Sequence, residues 1–240
     1  MLTKKLLINV VFRKIHVCFK VHEKNMPKKF LDKYSSLCYY YLKIKGAVQM
    51  KEKYCVFIGS SVCRGTGSET TGGWAKMLGE KMEKDGWTVE HCSIGGQNTS
   101  DILLRLNRDV IEKEPELCIV GLGLANEGLH KTENAAEAEC VRAVFDSNMR
   151  SIIKALQKAG IRVCAGGVYP SNRYNDFQYA ALLKEEDLSD GWGVPVFHWL
   201  SALDDGQGHF REGLYFDNGH PNDEGYRVML SCVPEFLKTV

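Results

Sequence analysis

Tyr54-Cys55-Val56-Phe57-Ile58-Gly59-Ser60-Ser61-Val62-Cys63-Arg64-Gly65 is the stretch on which the reading of this chain turns. It begins as a short apolar run with strand propensity and breaks at once into a G-x-S-x-x-x-G arrangement, Gly59 to Gly65. Small residues there permit a tight strand-to-helix turn. Such a turn can present the oxygen of Ser61 and the serine's own backbone N–H to one spot, as a nucleophile and its oxyanion require. Glycine and serine at this place also suit a phosphate cradle in a nucleotide or flavin site. No Walker lysine follows, and the dinucleotide G-x-G-x-x-G pattern is absent here.

Outward from this stretch, strand-like and amphipathic helical segments alternate, the order of parallel strands joined by crossover helices. Strands are expected over 54–58, 88–93, 117–122, 162–165 and 194–199. Helices are expected over 72–85, 100–113, 135–158 and 176–188, with a last one from about residue 222. Trp74, Met77, Leu78 and Met82 stand at helical spacing, and Gly86 ends that helix. Residues 117–122 are apolar on both faces, as a central parallel strand should be. A sheet of this kind takes its ligand beyond the carboxyl ends of its strands, so chemistry belongs in the loops just after them.

The 240 residues are enough for one sizeable domain and a tail. A net charge of +1 gives the whole chain no electrostatic draw toward nucleic acid or anionic lipid, and neither is expected as a partner. That value conceals an asymmetry. Residues 1–50 hold 11 of the 31 Lys and Arg but 2 of the 30 Asp and Glu, a formal +9 against −8 in the remainder. Residues 1–49 are therefore expected to be a basic, poorly ordered extension, and residues 50–240 the folded domain. The nine cysteines are odd in number, lack the paired spacings of a metal site, and sit partly in apolar runs (Cys55, Cys118). That usage suits a reducing, cytoplasmic setting and no bound metal. The apolar run 6–12 ends at Arg13 and Lys14 without a small-residue cleavage site, and no stretch reaches the ~18 apolar residues that cross a bilayer.

Three further loops carry residues suited to chemistry. After the second strand comes Ser93-Ile94-Gly95-Gly96-Gln97-Asn98-Thr99-Ser100, where a glycine lets the backbone approach a reacting carbonyl and aim an N–H at it. The same segment also reads as a flexible turn with Thr99 or Ser100 capping the next helix. After the third strand comes Gly123-Leu124-Ala125-Asn126-Glu127-Gly128, where an asparagine amide is either a neutral donor for a developing oxyanion or a turn residue. Ahead of the last helix stands Asp217-Asn218-Gly219-His220-Pro221-Asn222. A carboxylate there can fix the tautomer of a neighbouring imidazole that takes a serine proton.

In chain order serine, glycine, asparagine and Asp/His, these four blocks resemble the SGNH hydrolases, also called GDSL-type esterases and lipases, over residues 54–240. The resemblance implies an α/β fold, the flavodoxin-like three-layer α/β/α sandwich with a central parallel sheet. It implies Ser61 as nucleophile, His220 as general base and then acid, and Asp217 as its orienting carboxylate. The backbone N–H groups of Ser61 and Gly96 and the side chain of Asn126 would form the oxyanion hole. No cofactor is implied. The expected reaction is hydrolysis of small or medium acyl esters, O-acetyl groups on carbohydrates included, with thioesters and transfer to an alcohol left open.

The family pattern is departed from at Ser60, where Asp often precedes the nucleophile; at His91 or Ser93, where Asn is usual; at Leu124, where Gly is usual; and at Glu127, where Asp usually follows Asn. These changes bear on loop geometry and substrate more than on reaction type. Arg64, Asn98 and Glu127 are the expected substrate contacts. Cys63, two residues beyond Ser61, is a weaker rival nucleophile because a buried thiol is inert. Two other functions compete: a non-catalytic glycan- or partner-binding protein that kept the fold, and a flavin or nucleotide binder, which leaves Asp217 and His220 unexplained.

Overall fold

Alternate residues of the first strand face opposite ways, and this periodicity builds the whole molecule. Val56 and Ile58 pack with Ile102, Leu106, Phe145 and Met149, whereas Cys55 and Phe57 pack with Trp74, Leu78, Met82 and Tyr226. The computed structural model describes residues 53–234 and Leu237. The expectation for residues 1–49 lies outside the described residues.

Five parallel strands form the middle layer: β1 (Tyr54–Gly59), β2 (Thr88–His91), β3 (Leu117–Gly121), β4 (Arg162–Gly166) and β5 (Val196–Phe197), in the order β2-β1-β3-β4-β5. On one face lie α3 (Thr99–Asp109), α4 (Ala135–Lys158) and α5 (Asp176–Ser189). On the other lie α2 (Trp74–Lys84) and α7 (Asp223–Ser231). Two four-residue helices, α1 (Ser61–Arg64) and α6 (Leu200–Leu203), follow β1 and β5. This is the expected three-layer α/β/α sandwich, in the flavodoxin-like strand order, whose ligand crevice opens at the β1/β3 switch point.

Local sequence explains where the helices begin. Asn98, Asn134, Asn175 and Asn222 each stand at an N-cap and accept the backbone N–H three residues on, at α3, α4, α5 and α7. Each such cap is worth about 1 kcal/mol. At the switch point Gly59 pairs with Gly121, and a Cβ on Gly59 would stand 2.1 Å from the Gly121 carbonyl oxygen. Glycine alone allows β1 and β3 to approach so closely just where the chain turns toward Ser61.

Three expectations are corrected. The last strand, expected over 194–199, shrinks to Val196–Phe197, because Pro195 has no N–H for the ladder and Trp199 already caps α6. The helix expected over 100–113 ends at Asp109, where Val110 leaves helical dihedrals, and Ile111–Lys113 is a separate 3-10 turn. The Asp217 to His220 segment, expected as a plain loop, is a hairpin of β6 (Tyr215–Asp217) and β7 (His220–Pro221). No helix among the described residues is long and apolar enough to cross a membrane.

Candidate active site

Ser61 is the first residue of α1, immediately beyond the carboxyl end of β1. Its N–H therefore has no acceptor within the helix. The turn is fixed from behind, where the Ser60 N–H donates to the Gly121 carbonyl of β3 at 3.2 Å. Cys63 faces into the core, and burial pushes its thiol up to about 12.

The hairpin brings His220 to this turn from far along the chain. Its Nε2 is 3.0 Å from Ser61 Oγ, and its Nδ1 is 2.9 Å from each oxygen of Asp217. An ionised carboxylate can only accept, so Nδ1 carries the proton and Nε2 is left free to accept from the serine hydroxyl. Asp217 also accepts the Gly219 N–H at 2.7 Å and the His220 N–H at 2.9 Å. Partial burial pushes its pKa up, but these donors outweigh that effect and hold the carboxyl below its ordinary range. The three side chains thus form an unbroken hydrogen-bonded line.

The loops after β2 and β3 meet each other through Gln97 and Asn126. Gly96 has φ +79°, a conformation that favours glycine, and it is exposed. Asn126 donates one Nδ2 hydrogen to the Gln97 carbonyl at 3.0 Å, which leaves the second hydrogen for another acceptor. Asn98 and Glu127 are bound into the scaffold: Asn98 and Asp101 form a reciprocal capping box on α3, and Glu127 accepts the Thr99 N–H at 2.6 Å. Burial raises the Glu127 carboxyl against that donor. Arg64 is exposed, bonded at 3.3 Å to Thr66 Oγ1, and lies against Gly95.

Residues that sequence reasoning did not single out hold these parts in register. Asp223, the first residue of α7, accepts from the hydroxyls of Ser68, Thr70 and Thr71 and from the N–H groups of Thr70 and Thr71. Those donors pull its carboxyl far below the ordinary range, the Ser68 hydroxyl foremost. Gln97 and Arg105 likewise carry no local motif. Trp74 and Trp199 are fully buried core residues, while Tyr215 and Phe216, next to Asp217, are 40% and 57% exposed.

Residues 57–228 match the GDSL-like Lipase/Acylhydrolase family. Esterase TesA of Pseudomonas aeruginosa is 25% identical over 185 residues, covering 76% of this chain and 83% of that protein. Among solved structures, a GDSL-like lipase from Bacteroides thetaiotaomicron aligns with TM-score 0.57 at 20% identity, covering 83% of this chain and 96% of that one. The acetylxylan esterase Axe2 of Geobacillus stearothermophilus, in a catalytic mutant, aligns with TM-score 0.60 at 13% identity, covering 78% and 93%. At such identities these two likenesses concern the fold, whereas the family match spans all four loops that converge at the β1/β3 switch point. The chain accordingly belongs to the GDSL-like lipase/acylhydrolase family, the SGNH hydrolases, and is a carboxylic ester hydrolase.

Proposed function

We propose that the protein hydrolyses acyl esters through an acyl-enzyme on Ser61. The observation that carries this reading is the 3.0 Å contact between Ser61 Oγ and His220 Nε2, with Asp217 at 2.9 Å behind the ring. Ser61 Oγ bonds to the ester carbonyl carbon while its proton passes to His220. Asp217 keeps the imidazole in the accepting tautomer and stabilises the imidazolium that forms. The negative charge that develops on the carbonyl oxygen is met by the N–H groups of Ser61 and Gly96 and by the free amide hydrogen of Asn126. The C–O bond then breaks, His220 protonates the departing alcohol, and a water activated by the same imidazole releases the acid.

The substrate class we infer is small or medium acyl esters, O-acetylated carbohydrates among them. Exposed Tyr215 and Phe216, on the strand that ends at Asp217, offer an aromatic surface that suits a sugar-bearing leaving group. Arg64 is the candidate contact for an anionic substituent. The free thiols of Cys55, Cys118, Cys164 and their neighbours fit work in a reducing, cytoplasmic compartment, with the catalytic domain at residues 50–240 and residues 1–49 as an extension.

The test is covalent labelling by a fluorophosphonate together with hydrolysis of p-nitrophenyl acetate and of acetylated xylo-oligosaccharides. Wild-type protein should label once and turn over, and Ser61→Ala should do neither. Folded wild-type protein that neither labels nor hydrolyses any ester of the panel would leave the non-catalytic binding function in its place.

A further inference from the structure

Arg105 is a buried cation that reaches the loop carrying Gly96. It lies on α3 and is only 7% exposed. Its Nε donates to Gln97 Oε1 at 2.7 Å, and its Nη1 to Asp109 Oδ2 at 2.7 Å. Nη2 is buried without a hydrogen-bond partner among the described residues. Asp109 must also serve Arg108, which bonds it at 2.6 Å, so one carboxylate faces two guanidinium groups.

Gln97 is the residue on which several contacts converge. It directly follows Gly96; its side-chain oxygen receives Arg105; and its backbone carbonyl receives the Asn126 amide at 3.0 Å. One residue therefore sets both the peptide next to Gly96 and the direction of the Asn126 side chain. Beyond it the loop is already pinned, by the Asn98 capping box and by Glu127 on the Thr99 N–H. Without Arg105, Gln97 would lose the anchor that grips its side chain.

Stability alone does not explain this arrangement. Burying a guanidinium with one nitrogen unpaired is costly, and apolar side chains of similar volume serve a core at least as well. What a guanidinium provides is direction, because its planar fork fixes the acceptors on which it closes. Catalysis by a preformed oxyanion site depends on just such fixed donors, and a misplacement of about 1 Å costs on the order of a hundredfold in rate.

We propose that Arg105 is a positioning residue for the oxyanion hole: through Gln97 it aims both the Gly96 N–H and the Asn126 amide at the reacting carbonyl. This rests on the assignment of Ser61, Gly96 and Asn126 made above. Arg105 touches no substrate. Its effect belongs to kcat, since the donors it aims act on charge that appears only in the transition state.

The experiment is a double-mutant cycle on p-nitrophenyl acetate with melting temperature measured in parallel. Arg105→Met and Gln97→Met are each combined with Asn126→Ala. Gln97→Met leaves the Arg105–Asp109 pair and the backbone carbonyl in place, so it remains informative if Arg105→Met does not fold. Each single variant should lower kcat by about tenfold to a hundredfold with KM within about twofold. In the Asn126→Ala background the same changes should cost clearly less than they do alone, because one of the two donors they aim is gone. Arg105→Lys, which keeps the charge and one donor, should recover part of the rate. An unchanged kcat in Gln97→Met, or an undiminished loss in the Asn126→Ala background, overturns the proposal. If Ser61→Ala kept its fluorophosphonate labelling, the assignment of the nucleophile would fall instead, and the two failures are thereby told apart.

Discussion

The phenol of Tyr226 donates a 2.6 Å hydrogen bond to the carbonyl oxygen of Thr66. Tyr226 is on α7, which follows His220, and Thr66 is in the loop that follows Ser61, so the bond joins the two segments whose side chains, Ser61 and His220, stand 3.0 Å apart. Asp223, one turn earlier on α7, grips residues 68–71 of the same loop through three hydroxyls and two backbone N–H groups.

Asp223→Ala should therefore loosen the loop without unfolding the sheet. Amide exchange at residues 66–73 is expected to accelerate by about tenfold or more, while exchange in β1 and β3 stays slow. Unchanged protection at residues 66–73 would show that the clamp is idle.

In the proposed mechanism Asn126 acts only when negative charge develops on the carbonyl oxygen, and Asn126→Ala removes that donor. The expected loss is on the order of a hundredfold or more in kcat, with KM little changed. A rate close to wild type on p-nitrophenyl acetate removes Asn126 from the oxyanion hole.

Asp217→Asn replaces the acceptor at 2.9 Å from His220 Nδ1 with an amide that no longer holds the accepting tautomer. The fall in kcat should approach about 10⁴-fold at neutral pH, the size seen when the carboxylate of a Ser-His-Asp triad is replaced by its amide. A loss under about tenfold would mean that the imidazole is oriented by something else.

Glu185 is fully buried on α5, where burial raises its carboxyl to about 7 against the opposing pull of Arg142, 2.8 Å away. Its folded value thus lies above the ordinary carboxylate value of 4.5. A raised carboxyl favours the fold below the unfolded value, and that contribution is lost as pH rises through the folded one. Thermal stability should accordingly decline between about pH 4.5 and 7, and Glu185→Gln should flatten the decline. A variant whose melting temperature follows the wild-type pH profile would contradict the assignment.

Cys63 offers the opposite kind of check. Its thiol is buried and pushed up to about 12, so iodoacetamide at neutral pH should leave esterase activity intact, and Cys63→Ala should retain turnover. Rapid inactivation by alkylation at Cys63 would reopen the question of the nucleophile.

Strong, continuous patterns were readable in the chain. The helix 135–158 and the strand at 117–122 are found within a residue of their expected bounds, because long amphipathic periodicity and an unbroken apolar run each have a single solution. The turns at Ser61 and Asn126 were readable because each lies just beyond such a strand. The hairpin of Tyr215–Asp217 with His220–Pro221 was not, since strands of three and two residues carry no periodicity. Nor were Gln97, Arg105 and Asp223: their partners are contacts of the folded chain, and Asp223 reaches Thr70 across 153 residues. Asn98 and Glu127, expected at the substrate, are bonded at the start of α3. A cap was legible there, but it falls on Asn98 rather than on Thr99 or Ser100, and the Thr99 N–H is met by Glu127 from a distant loop.

His220 follows Ser61 by 159 residues, and β2 to β5 all lie between them. On the ribosome, the hydroxyl of Ser61 emerges long before the ring of His220. Under the proposed mechanism, a nascent chain halted ahead of the Tyr215–Pro221 hairpin carries the hydroxyl without its base and cleaves nothing until synthesis delivers the imidazole. Termination upstream of His220, on that mechanism, yields silence rather than a promiscuous fragment.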